Sequence, residues 1–283
     1  MDAKGRRAGY RDAERRGMTL MKVIKLEENA VDIDAASVHY RDLNEEINRV
    51  VNEGAKHIII RNVNGQRFIG AGLQGDDIRI DIHGVAGNDL AVFMDGPTIE
   101  VFDNAQDGVG NTMNAGKVYI HGHAGDVCGY GMRGGRLFVL GDVGYRVGIH
   151  MKAYMGKTPV LVVGGTAGHF LGEYMAGGII VLLGIEKRAG QPIAGDYLGT
   201  GMHGGTIFVR GEVDSRRVGK EVGIEKLDED DNLALKRELS EFSRVFHLSY
   251  DEVMSEPFVK LFPKTHRPYG PMYNSRWSWQ RGG

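Results

Sequence analysis

The sequence contains one glycine-rich stretch that could hold a phosphate group. Residues 129–141, GYGMRGGRLFVLG, include five glycines in thirteen positions. Glycine loops bind phosphate when a helix follows them and points its N-terminus at the anion. Here RLFVLG follows, and its composition is that of a strand. We therefore predict that this stretch forms one unit of a repeating fold and binds no nucleotide.

Two histidines and one cysteine are the other candidates for chemistry. His121 and His123 are two residues apart and could face one metal ion, but no third ligand recurs at a matching position nearby, so we predict that both are exposed. Cys128 is the only cysteine, which excludes an internal disulfide and an iron–sulfur cluster held by this chain alone. We interpret Cys128 as a small buried side chain. We expect no catalytic residue, metal or cofactor in this chain.

The overall charge gives no reason to expect a nucleic-acid or membrane partner. The 283 residues carry a formal net charge of -2, and the pI is near 6.6. Basic residues cluster in residues 1–21, which we predict to be a flexible leader, with an alternative start at Met18. Neither a secretory signal nor an apolar run of about 18 or more residues is found. A cytoplasmic location is therefore expected.

A repeat of about 19 residues organises the middle of the chain. Six methionines at intervals of 19, 19, 23, 20 and 27 residues mark its units: Met94, Met113, Met132, Met155, Met175 and Met202. Five and seven residues after each methionine stand β-branched residues or leucine, which lie on one face of a short strand. Glycines fill the corners between these strands. The repeat predicts an all-β fold, a single-stranded parallel β-helix with short flanking helices.

A further apolar column stands six residues after each methionine and is predicted to face outward. It includes Tyr119, Phe138, Leu161 and Phe208. A continuous apolar stripe on a soluble protein is normally covered. The segment Asp231–His247 has apolar residues at helical spacing and could cover the stripe, or a partner protein could do so. The four residues are therefore candidates for a partner interface.

The flanking segments differ in composition from the repeat. We divide the chain into the leader at 1–21, an opening helix with the first strands at 22–75, the glycine-rich β-helix at 76–224, and a helix with an extended tail at 225–283. The opening helix is predicted over Tyr40–Asn52, where apolar residues follow helical spacing.

A polar turn near the start of the repeat contains further interface candidates. Asn64, Gln66 and Arg67 lie between two apolar segments. Their types are compatible with a structural turn and with a contact to a partner, and the sequence leaves both alternatives open.

The repeated units, together with VNGQRFIGAGL and HYRDLNEEI, resemble the C-terminal β-helix domain of the glutamate synthase large subunit, the GXGXG domain. The resemblance covers roughly residues 31–215. It implies a right-handed β-helix with an architectural role. In that family the glutamine amidotransferase nucleophile, the FMN site and the iron–sulfur cluster lie in other domains. The chain resembles the stand-alone version found where the large subunit is split into separate polypeptides.

The resemblance predicts a non-catalytic subunit of a glutamate synthase-like complex. Its implied partners are a glutamine amidotransferase-type subunit and an FMN-binding synthase-type subunit, and FMN and iron–sulfur clusters are expected in these partners. One alternative is a scaffold similar to the β-helix subunit of formylmethanofuran dehydrogenase or a related complex. Another is a polysaccharide-acting β-helix enzyme, but the sequence lacks the stacked outward aspartates that such enzymes use to bind calcium.

Overall fold

The computed structural model describes residues 21–27 and 29–265, so the leader up to residue 20 and the tail from residue 266 lie outside the described residues. Within them, twelve strands form one sheet in the order β1-β2-β3-β4-β5-β6-β7-β8-β9-β10-β12-β11. The strands are β1 Lys22–Glu27, β2 Ala30–Asp34, β3 His57–Asn64, β4 Arg79–Val85, β5 Asp95–Val101, β6 Ala115–Ile120, β7 Arg136–Val139, β8 Val160–Val163, β9 Ala176–Leu182, β10 Gly204–Arg210, β11 Val222–Lys226 and β12 Phe258–Pro263. The helices are α1 Tyr40–Asn52, α2 Glu229–Phe246 and α3 Tyr250–Val253.

The strands from β2 to β10 are all parallel, each paired with the next along the chain. This confirms the predicted parallel β-helix. Inward side chains stack in columns of similar residues, and the central column contains Ile80, Ile99, Val118, Leu137, Leu161, Ile180 and Ile207, all fully buried. Such stacking buries apolar area on every coil turn and fixes the register of each strand.

A second, shorter contact column joins the coil turns on another side. Single parallel bridges link Ala86, Ala105, Ala124, Val143, Ala167 and Ala194 in turn. All six side chains are small and buried in the interior cluster, so this side of the coil is closely packed. This column was not predicted from the sequence.

In one unit of the repeat, the buried methionine is not the one predicted from the sequence. Met151 is fully buried in the same cluster as Met132 and Met175, whereas Met155 is 79% exposed. Met151 lies 19 residues after Met132, so the regular spacing continues for one more unit. The extra residues of this unit therefore follow the core methionine, in a loop before β8, and do not precede it.

Antiparallel strands and helices close the two ends of the sheet. β1 pairs antiparallel with β2, and β12 pairs antiparallel with both β10 and β11. The first residues of the predicted tail thus extend the sheet. α1 begins and ends where the sequence predicts and buries Leu43, Ile47 and Val50. None of the helices among the described residues combines the length and the apolar composition that a membrane span requires.

Candidate functional site

The predicted outward stripe lies beneath α2. Tyr119, Phe138 and Phe208 are at most 4% exposed and belong to a cluster separate from the interior of the β-helix. Leu239 and Phe242 of α2 are fully buried in the same cluster, and the rings of Phe138 and Phe242 meet edge to face with centroids 5.8 Å apart. The chain therefore covers this stripe with its own helix, which is the first of the two alternatives that the sequence left open.

The acidic segment before α2 starts the helix. Asp228 accepts a hydrogen bond from the backbone N–H of Asp231, and Asp231 accepts one from the backbone N–H of Asp228, which together form a capping box. Glu229 and Asp230 occupy the first turn, where the helix dipole favours negative charge. α2 thus begins at Glu229, two residues before the start of the segment predicted from the sequence, because Asp228 caps the helix there.

Ion pairs attach α2 to the outer face of the sheet. Both carboxylate oxygens of Glu238, which is fully buried, accept hydrogen bonds from the guanidinium of Arg136, at 2.7 and 3.0 Å. One carboxylate oxygen of Glu241 accepts bonds from Lys117 Nζ at 2.5 Å and from Tyr119 Oη at 2.7 Å. Charge-assisted, two-point contacts of this kind set the register of the helix on the sheet.

The pKa values of these groups follow from the contacts. Burial, together with the hydrogen bond to Glu241, raises the pKa of Tyr119 well above its ordinary value. Burial alone would raise the pKa of Glu241, but the hydrogen bonds from Lys117 and Tyr119 outweigh it and lower that pKa. Near neutral pH the carboxylate is therefore ionised and the phenol is neutral, which is the arrangement that these hydrogen bonds require.

Leu161 does not belong to the outward stripe. It pairs in register with Leu137 and is fully buried inside the β-helix, whereas Val160 and Val162 lie in the cluster under α2. The prediction was wrong by one residue because it counted from Met155. In a strand the side chains alternate between faces, so a shift of one residue exchanges inside and outside.

The polar turn near β3 separates into one interior and two exposed side chains. The Gln66 amide is 8% exposed; its Nε2 donates to the carbonyls of Ala35 and Val38, and its Oε1 accepts from the backbone N–H of Asn64. Gln66 therefore holds the loop before α1 against β3 and offers no surface to a partner. The side chains of Asn64 and Arg67 are exposed.

The two histidines have different neighbours. His121 Nε2 lies 2.7 Å from Glu100 Oε1, and the imidazole packs against the rings of Phe102 and Phe246, so the side chain is only 24% exposed. His123 is 63% exposed, and its Nδ1 accepts from the backbone N–H of Asp142. The prediction of exposure is thus wrong for His121, whose position at the end of β6 places it beside α2.

Cys128 is buried as predicted. Its side chain is fully enclosed, and burial raises the pKa of the thiol to about 12. A thiol with so high a pKa supplies almost no thiolate near neutral pH, so it is a poor nucleophile.

A second outer surface lies at the corner before each strand and carries exposed aromatic side chains. Tyr130, Tyr145, Tyr174 and Tyr197 are between 40% and 55% exposed. Several rings stack on those of the next coil turn; His150 and Tyr174, for example, have centroids 5.5 Å apart and planes 11° apart. This surface was not predicted from the sequence, because the outward residue types at the corner do not repeat from unit to unit.

The family model described as "GXGXG motif" matches residues 29–265, nearly all of the described chain. The chain belongs to the GXGXG family. This domain is found in the large subunit of glutamate synthase, and the match supports a glutamate synthase-like relationship. An uncharacterized protein of Methanocaldococcus jannaschii is 48% identical over 250 residues, which cover 86% of this chain and 96% of that protein. The aligned region therefore spans almost the whole length of that protein.

The glycine pairs of the GXGXG family occupy a defined place in the fold. Gly129 and Gly131 precede the core methionine Met132 and have φ of 68° and 57°. This left-handed conformation costs glycine little, and it folds the corner tightly enough for the next strand to stack on the last. In this GXGXG chain the pairs are therefore corner-forming elements, and no helix follows that could orient a phosphate.

Proposed function

We propose that this protein is a non-catalytic, architectural subunit of a glutamate synthase-like complex. Its role is to hold a glutamine amidotransferase-type subunit and an FMN-binding synthase-type subunit in a fixed relative position. Glutamine-derived ammonia must then pass between two active sites, and this passage depends on their spacing. FMN and iron–sulfur clusters are assigned to the partner subunits.

Membership of the GXGXG family is the observation that carries the proposal. The Methanocaldococcus jannaschii relative agrees with it, because little of that protein lies outside the region shared with this chain. Stiffness is a further argument. Each parallel strand is hydrogen-bonded to both neighbours, and α2 is bound to the sheet by ion pairs. A body of this kind keeps a constant distance between partners bound to it.

Reconstitution of the complex from separately purified subunits tests the proposal. We expect that omission of this protein leaves glutamine hydrolysis by the amidotransferase-type subunit and FMN binding by the synthase-type subunit intact. Glutamine-dependent glutamate formation should be lost, while glutamate formation from added ammonium should persist. Full glutamine-dependent activity without this protein would refute the proposal.

Purification from the native host provides an independent test. The proposal requires co-purification with a flavoprotein and an amidotransferase-type protein. Isolation of the protein alone would contradict it, and co-purification with a molybdenum or tungsten enzyme would instead favour the formylmethanofuran dehydrogenase-like alternative.

A further inference from the structure

One surface of the β-helix combines a projecting loop, exposed aromatic rings and two cations that form no ion pair among the described residues. We propose that this surface binds an acidic segment of a partner protein that also contains an apolar side chain. The hairpin patch, as we call it, consists of the loop at 152–157 together with Tyr130, Arg133, His150 and Tyr174. The proposal rests on the proposed function and specifies where and how a partner subunit attaches.

The loop is an insertion with its own fixed structure. Tyr154 and Lys157 exchange both backbone hydrogen bonds, each 3.0 Å long, so that a two-residue turn joins them. The turn residues Met155 and Gly156 have φ of 50° and 77°, as a tight hairpin turn of the primed type requires. Insertions in repeat proteins commonly fall on the binding face, because they do not contribute to stacking of the units.

Met155 lies at the tip of this hairpin and is 79% exposed. A large apolar side chain in the left-handed region is uncommon, and this one is held away from the protein surface. Methionine is enriched in the centres of protein interfaces, where its flexible side chain adapts to an apolar pocket. The partner segment should therefore present an apolar contact at this position.

Two cations lie next to the hairpin. The guanidinium carbon of Arg133 lies 5.8 Å from the centroid of the Tyr154 ring, and Lys152 Nζ lies 5.7 Å from it. Among the described residues, neither Arg133 nor Lys152 forms an ion pair, whereas Lys157 of the same hairpin pairs with Asp95. Two orientable cations beside exposed aromatic surface favour carboxylates on the partner.

Two exposed rings of the hairpin patch, His150 and Tyr174, belong to residues with a left-handed backbone conformation. His150 and Tyr174 have φ of 56° and 51°, and the equivalent positions in neighbouring coil turns are Gly131 and Gly201. A non-glycine residue in this region costs roughly 1–2 kcal/mol. Since the fold accepts glycine at this position, the imidazole and phenol rings are not needed to form the corner. Phe93 and Thr112 occupy the same position in earlier coil turns, with φ of 58° and 53°, so side chains are accepted there in several units, and the two rings beside the hairpin are available for contact.

The chain's own terminal segments do not have the required charge. Residues 266–283 contain three arginines and neither aspartate nor glutamate, and residues 1–20 are also net basic. Nucleic acid fits the geometry less well, because the His150 and Tyr174 rings stack on each other and each uses one of its faces in that contact. An acidic protein segment matches both the cations and the exposed methionine.

Charge reversal in the full-length protein tests the proposal. The double variant Arg133→Glu with Lys152→Glu is compared with Lys236→Glu combined with Lys220→Glu, which changes the net charge equally at two exposed lysines elsewhere. Binding to the purified amidotransferase-type and FMN-binding subunits is measured at low and high salt. The hairpin-patch variant should weaken binding to one subunit by at least about tenfold at low salt, with a smaller difference at high salt. The control should bind like wild type, and both should keep the wild-type Tm.

A photo-crosslinking amino acid at Met155 identifies what the patch contacts, with the same group at exposed Leu233 of α2 as control. We expect crosslinks from position 155 to an acidic segment of one subunit. If the complex forms but crosslinks arise only from position 233, the patch is refuted while the proposed function stands. If wild type binds neither subunit, the proposed function fails, and the patch assignment fails with it. Single-stranded DNA that binds wild type and is released by the charge reversal, with subunit binding unchanged, would also overturn the proposal.

Discussion

The identical substitution at two methionines four residues apart separates the observed register from the one predicted from sequence. Met151→Ala removes three heavy atoms from a side chain that is fully buried between neighbouring coil turns. Replacing a buried methionine by alanine costs about 2–5 kcal/mol, from lost burial and from the cavity left behind. Met155→Ala acts on a side chain that is 79% exposed, so its effect should stay within about 0.5 kcal/mol.

Thermal unfolding followed by circular dichroism at one fixed scan rate measures the difference. For a protein of this size about 1 kcal/mol corresponds to roughly 2–4 °C, so Met151→Ala should lower the Tm by about 4–20 °C. Met155→Ala should leave the Tm within about 2 °C of wild type. Because a repeat protein can unfold in parts, the comparison uses the first transition of each variant.

A volume-conserving variant provides the control. Met151→Leu keeps an apolar side chain of similar size and should cost less than about 1.5 kcal/mol. If Met155→Ala destabilises the protein more than Met151→Ala, the observed register is wrong and the count from Met155 is right. Equal small effects would mean that the methionine column does not support the core.

Three further outcomes follow from the corners, the thiol and the α2 contacts. Gly135→Ala should lower the Tm more than Gly156→Ala. The backbone φ is similar at the two sites, 79° and 77°, but only at Gly135 does an added Cβ meet a backbone oxygen, at 2.6 Å. Similar losses of Tm in the two variants would contradict the tight corner at Gly135. Cys128 should react with a thiol reagent at pH 8 only as fast as the protein unfolds; rapid reaction of native protein would contradict its burial. The pKa of Glu241 in the folded protein lies below its ordinary value of 4.5. The ionised carboxylate therefore contributes its full stability above about pH 4.5, and this contribution is lost as the pH falls below that value. Glu241→Gln should make the free energy of unfolding less dependent on pH below about 4.5.

The regular parts of the fold could be predicted because one signal repeats many times. A strand in one coil turn must lie in register with the next, so inward Ile, Val and Leu recur at fixed distances from a methionine. The α1 limits were predictable from apolar spacing alone. The error at Leu161 has a physical cause: the strand at 160–163 reads VLVV, and four apolar residues in a row give no alternation from which to read the face.

The candidate surfaces were predictable only where they are apolar and periodic. The stripe under α2 and the helix that covers it were both found, since each has a regular spacing. The hairpin patch was not predicted, because its aromatic residues and cations occur in different units of the repeat and at different positions within them. Its only sequence signal is the 23-residue interval that interrupts the 19-residue repeat, and the prediction from sequence used the exposed Met155, at the tip of this hairpin, as the marker of that unit.

Because α2 covers the outward apolar stripe, it limits where a partner can bind. To reach the outer face of the sheet, a partner would have to displace α2, which exposes Phe138, Phe208 and Phe242. At about 1.5–3 kcal/mol for each fully buried side chain, this exposure alone costs roughly 5–9 kcal/mol. Displacement also breaks the ion pair between Arg136 of the sheet and Glu238 of α2. The exposure cost is comparable to the total binding free energy of a micromolar complex, about 8 kcal/mol. Partners should therefore bind at the corners or the ends of the β-helix, and changes at the hairpin patch should alter binding while the Tm stays constant.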